Sequence, residues 1–155
     1  MNSTAAAEPL SPPSDEDDVP DAVRAAEAAV AALADSFLEW IGEDIGRAKE
    51  ALAAGQEKPG DNQPELRAIF EVVHNVKGQG GSFGYDLLTK IGGSLCDYLR
   101  VEAASADEKQ LKVIAAHFAA MDFVLEKNIQ GNGGAIGEQL TGKVAQLVAN
   151  IPAPA

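Results

Sequence analysis

Apolar residues return every three or four positions through most of this chain, and the blocks they form are separated by glycine and proline, not by strand-like alternation. A 3.6-residue period is the mark of an amphipathic α-helix, so the chain has to fold by packing helix on helix. The first block starts at Asp21, with Val23, Ala26, Val30 and Leu33 continued by Phe37, Leu38, Ile41, Ile45, Ala48 and Leu52. It reads either as one long helix or as a short helix followed by a longer one from near Asp35. The stretch GQEKPGDNQP at 55–64 interrupts the pattern. A second helix then carries Pro64 in its first turn and Leu66, Ile69, Phe70 and Val73 on one face, persisting to about Gly80. After a turn around Gly80, Gly81 and Ser82, a third helix presents Leu87, Leu88, Ile91, Leu95 and Leu99. Its interior Gly92 and Gly93 mark close helix packing or weaken the helix. Asp107 caps a fourth helix with Leu111, Ile114, Ala115, Phe118, Met121 and Leu125 on its core face. Gly131 to Gly134 ends it, and a weaker amphipathic segment follows from about Ile136 to Val148, before Pro152 and Pro154 stop any helix.

These blocks predict an all-α fold: an antiparallel up-and-down four-helix bundle with accessory N- and C-terminal helices. The bundle occupies residues 21–150, with its core at about 35–130. Residues 1–20 carry four prolines and the acidic run Asp15 to Asp18, so they read as a disordered acidic tail, and 151–155 as a short second tail. The 28 alanines agree with helices. The expected state is a monomer, with pairing through the segment 21–34 as the alternative.

Charge and cysteine usage narrow the function classes. Lys and Arg total 12 against 24 Asp and Glu, a formal charge of −12. Five of those acids fall in the first 20 residues without a base, yet the remainder is acidic as well. Nucleic acid and anionic membrane call for the opposite sign. The single cysteine, Cys96, allows no intramolecular disulfide and suits a cytoplasmic protein, and no segment approaches a membrane span or a secretory leader. Two histidines and one cysteine without ligand spacing make no metal site. The glycines at 78–84 follow no strand and lack the spacing of a nucleotide-binding loop.

The segment His74-Asn75-Val76-Lys77-Gly78-Gln79-Gly80-Gly81-Ser82-Phe83-Gly84 carries the chemistry. On a helical wheel His74 falls about 80° from Leu66, on the shoulder of the buried stripe, where a ring can pack while its far nitrogen stays in water. Arg67, Glu71 and Gly78 share that exposed flank. Gly78, one turn beyond His74, clears the ground beside the imidazole at a cost of about 1 kcal/mol in helix propensity. If the helix persists far enough, Gly81 clears the next turn. Lys77 can bring an ammonium up to the ring on its flexible stem. An adjacent cation favours the neutral, nucleophilic imidazole and pairs with an anion placed on it. Nucleophile, cation and open approach are what a phosphoryl group on a histidine nitrogen requires. His117 has no Lys-Gly neighbour and reads as a packing histidine, and Cys96 as a small core residue.

His-x-x-Lys-Gly, followed by Phe83 and Gly84 at nine and ten residues from the histidine, resembles the signature of histidine-containing phosphotransfer (HPt) domains. The resemblance covers about residues 35–130. Where many members carry small Ser or Ala residues after the Lys-Gly pair, this chain has Gln79-Gly80-Gly81. The resemblance implies a four-helix bundle that accepts a phosphoryl group on His74 from a receiver-domain aspartate and passes it to another receiver. Lys77 would steady the phosphoryl oxygens. Gly78 would leave room for the partner, and Gly84 would serve packing at the next helix. Arg67, Glu71, Gln79 and Gly81 join Gly78 as candidate partner-binding residues, with Phe83 and Tyr85 added if they are exposed. Such a carrier has no kinase or ATPase activity of its own and binds no cofactor, the Mg²⁺ coming with the partner receiver. The alternative is a helical interaction module that never carries phosphate.

Overall fold

The computed structural model describes residues 20–100 and 103–155, so the acidic tail expected at 1–20 lies, up to residue 19, outside the described residues. The described residues form five helices: α1 (Asp21–Gln56), α2 (Gln63–Gly80), α3 (Asp86–Leu99), α4 (Glu108–Glu126) and α5 (Gly134–Asn150). A single 3-10 turn, Gly81–Phe83, joins α2 to α3. The fold is all-α, as the periodicity predicts.

The chain divides into two units at residue 35. In the first, the described residues 21–35 are helical, and Val23, Val30 and Leu33 lie on the surface. The two readings of the first block resolve into one continuous helix of 36 residues. No glycine or proline stands between Asp21 and Ile41, so nothing in the chain terminates it.

The second unit holds the core. Phe37, Ile41, Ile45, Ala48 and Leu52 of α1 meet Leu66, Ile69, Val73 and Val76 of α2, Leu87, Leu88, Ile91, Leu95 and Leu99 of α3, and Leu111, Ile114, Phe118, Met121 and Val124 of α4. Leu125, expected on this face, is half-buried, and Val124 takes its place inside. Antiparallel packing is visible in the pairs the helices share. Along α2 and α3, Lys77 faces Gly92 while Gly80 faces Leu88. Along α3 and α4, Ser94 reaches His117, and Tyr85, which precedes α3, reaches Asn128.

Local chemistry sets the helix ends. Asp107 and Gln110 form the reciprocal capping box that starts α4, each side chain accepting the other's backbone N–H at 2.8 Å. Asn62, fully buried before α2, donates to the carbonyls of Gly55 (3.1 Å) and Ala106 (3.0 Å) and accepts from the Ala106 amide (2.8 Å). One amide group thus ties the end of α1 to the start of α4. Gly84 departs from the packing role that the resemblance implied. A Cβ there would meet nothing within 4 Å, and its φ of +85° is what requires glycine.

α5 buries only Gly137 and Val144, in line with its weak stripe. The short tail after it folds back on the bundle. The Pro152 carbonyl accepts from Tyr98 Oη (3.3 Å) and Gln110 Nε2 (3.0 Å), and the Ala104 amide donates to the Ala155 carbonyl (3.0 Å). Among the described residues, no helix is long and apolar enough to cross a membrane.

Candidate functional site

α2 buries Leu66, Ile69, Val73 and Val76, which turns His74 outward. The imidazole lies against the Phe70 ring one turn earlier, with centroids 5.9 Å apart and planes 29° from parallel. That half-buried ring holds one face of His74 and leaves its nitrogens to solvent. His74 makes no hydrogen bond or ion pair with any described residue.

Around it, Arg67, Glu71, Lys77, Gly78 and Gln79 are all exposed on the same helix. None of them joins the ion pairs Arg47–Asp44, Lys49–Asp122 or Lys58–Glu65. Gly78 differs in kind from its neighbour Gly80. A Cβ at Gly80 would crowd Leu88 Cβ and Thr89 Oγ1 at 3.0 Å, whereas one at Gly78 would meet nothing within 4 Å. The fold therefore needs Gly80 for its own packing and has no such need of Gly78.

Gly81 does not clear a further turn beside His74, because α2 ends at Gly80. Thr89 of α3 explains the stop. Its Oγ1 donates to the Lys77 carbonyl (2.9 Å) and accepts from the Gly81 amide (2.8 Å), the two groups that a continuing helix would pair with each other. Gly81 thus belongs to the junction with α3 and lies against Thr89. Phe83 is half-buried and stacks on Phe37 with centroids 4.2 Å apart. Tyr85 is buried, its hydroxyl bonded to Asn128 Oδ1, so it is removed from the docking face.

Lys77 is held by α3. A Cβ at Gly92 would stand 3.3 Å from both the Lys77 amide nitrogen and Lys77 Cβ, and one at Gly93 would stand 3.7 Å from Lys77 Cε. The two glycines let the backbones close up and give the lysine stem a ledge to cross. Its charge reaches Cys96, whose thiol burial pushes up while Lys77 pulls it down. The glycine pair is visible in the sequence as a packing signal, but nothing there links it to Lys77. Thr89 has no sequence signal at all, since its role exists only once α3 lies beside α2.

His117 is the opposite of His74. It is fully buried, its Nδ1–H donates to the Val113 carbonyl (2.8 Å), and its Nε2 accepts from Ser94 Oγ (3.0 Å). Both nitrogens are consumed by the fold, and burial holds the ring below the usual histidine range. Among the described residues no cluster of three or more His, Cys, Asp or Glu side chains could hold a metal ion.

No curated protein and no solved structure matches this chain. A family model does: that of the Hpt domain, over residues 32–131. The match takes in α2, α3, α4 and the bundle-forming part of α1, together with His74, Lys77 and Gly78. On that match and the all-α bundle that bears it, the chain belongs to the Hpt domain family, whose members serve histidine phosphotransfer in two-component phosphorelays and interact with the receiver domains of response regulators.

Proposed function

We propose that this protein is a cytoplasmic phosphocarrier that takes a phosphoryl group onto His74 from the aspartate of one receiver domain and delivers it to another. The observation that carries this reading is the contrast between the two histidines. His117 has both nitrogens bonded inside the core, whereas His74 has neither, and Gly78 leaves the space beside it bare.

In the transfer, the neutral ring attacks through Nε2, in line with the bond to be broken. The N–P bond forms as the P–O bond to the aspartate breaks, the carboxylate leaves with the electron pair, and the Nδ1 proton stays on the ring. The phosphoramidate retains enough free energy for the reverse displacement by a second carboxylate. Phe70 restricts the ring, so part of the positioning entropy is met before the partner arrives. Lys77 supplies a cation to the phosphoryl oxygens from its ledge on α3. Mg²⁺ enters with the receiver, whose own acidic groups hold it. Arg67, Glu71 and Gln79 form the polar ground on which the receiver lands.

Loss of phosphate from a purified phosphorylated receiver, followed with and without this protein, tests the reading. Wild type accelerates that loss and accumulates the phosphate itself, and Lys77→Ala does so roughly tenfold more slowly. A Lys77→Ala rate equal to wild type removes Lys77 from the mechanism, and a receiver whose phosphate is never taken up contradicts the carrier.

A further inference from the structure

α5 begins at Gly134, beyond the residues 32–131 that match the family. Even so, it builds part of the surface at the phosphoryl site. A groove of about 670 Å³ starts at Lys77 on α2, crosses the Gly93 ledge of α3, and is closed on the far side by Val148 of α5 and Ala153 of the returning tail. Lys90 and Asp97 of α3 also line it. The far wall is fixed in place, because Tyr98 and Gln110 both bond the Pro152 carbonyl.

The charge of this groove runs against that of the chain. Lys77 and Lys90 both face it, neither is paired with a carboxylate among the described residues, and Asp97 is the one acid in its lining. A net positive groove on a protein of charge −12 is set for an anionic partner. Its continuity with His74 through Lys77 says which partner that is.

We propose that the receiver domain exchanging phosphate with His74 seats the acidic rim around its own aspartate over this groove. Lys77 stays with the phosphoryl oxygens at the near end of the groove, Lys90 takes a carboxylate of the rim outside the Mg²⁺ site, and Val148 takes an apolar side chain next to it. Lys90 and α5 are then specificity-determining elements, lying one beside and one outside the family signature, that decide which receivers this carrier accepts. The inference rests on the carrier reading above.

The test uses the full chain and a purified receiver domain, drawn from a panel, that labels wild type in the presence of Mg²⁺. Transfer rate is measured against protein concentration for wild type, Lys90→Glu, Lys90→Arg, Val148→Asp and Lys112→Glu, the last an exposed charge reversal on α4 outside the groove. Lys90→Glu and Val148→Asp are expected to raise the half-saturating concentration about tenfold with the saturated rate nearly unchanged. Lys90→Arg restores wild-type behaviour and Lys112→Glu keeps it. Lys90→Glu is a surface change that leaves the fold intact, so it decides the matter if Val148→Asp fails to fold. Half-saturation unchanged in Lys90→Glu, with wild type transferring normally, overturns the groove and spares the carrier. A wild type that no receiver labels overturns both.

Discussion

Gly92 of α3 lies directly against the backbone of Lys77 on α2, so close that a Cβ at Gly92 would stand 3.3 Å from the lysine amide nitrogen and 3.4 Å from its Cα. The two helices meet there without a side chain between them, and the lysine stem then crosses Gly93. The height of Lys77 beside His74 is therefore set by two residues that carry no chemistry.

Replacing Gly92 by valine tests that contact. The atoms in its way are the Lys77 amide nitrogen, Cα and Cβ, none of which can rotate aside, so Gly92→Val is expected to lose about 1–3 kcal/mol through overpacking. A urea midpoint at or above wild type would show that the helices are free to separate.

Gly78→Ala should move stability the other way. Open space around a Cβ at that position and the better helix propensity of alanine predict a gain of about 0.5–1 kcal/mol. Phosphotransfer should fall, by about tenfold if the methyl group displaces the partner from its line of attack. A variant that is more stable and transfers at the wild-type rate would remove the docking role of Gly78.

Asn62→Ala takes the partner of the Ala106 amide and one of the two donors at each of the Gly55 and Ala106 carbonyls, which keep the Lys58 and Gly60 amides. Loss of about 2 kcal/mol is expected, since one orphaned buried amide costs about 1–3 kcal/mol and the two weakened carbonyls add to it. Denaturant unfolding measures it, and a change below about 1 kcal/mol would contradict the assigned role.

His117 makes stability depend on pH. Burial lowers its folded pKa below the ordinary 6.5, with the Val113 carbonyl opposing in part. The unfolded chain therefore binds the proton more readily. The contribution is complete above pH 6.5 and is lost as pH falls from there through the folded pKa, with a slope of at most about 1.4 kcal/mol per pH unit. Unfolding midpoints taken between about pH 7.5 and 5.5 should drop for wild type and stay flatter for His117→Gln. Parallel profiles would show that His117 does not titrate across this range.

How much of this was legible in the sequence differs from one feature to the next. The core stripes of α2 and α3 were legible because every third or fourth residue reports the same buried face, and Asp107 was legible because a cap acts within one turn. His74 stood out through the spacing of Lys77 and Gly78, all on one helix. Features that join distant residues left no such trace. The end of α2 depends on a hydroxyl from α3, at Thr89, and the burial of Tyr85 on Asn128 of the loop after α4. Gly84 is required by a backbone angle that composition does not encode. Two aspects of the site itself fall in this class, the glycine ledge under Lys77 and the approach of Val148 toward it, because each needs a helix placed beside another.

The central claim is that His74 is the atom-bearing residue of phosphotransfer. The most direct measurement is to mix the purified protein with a phosphorylated receiver domain and Mg²⁺ and then to assay the phosphate it acquires for stability in acid and in alkali. Wild type is predicted to carry phosphate that acid releases and alkali does not, and His74→Gln to carry none. Equal labelling of His74→Gln and wild type, or no label on either, would contradict the account.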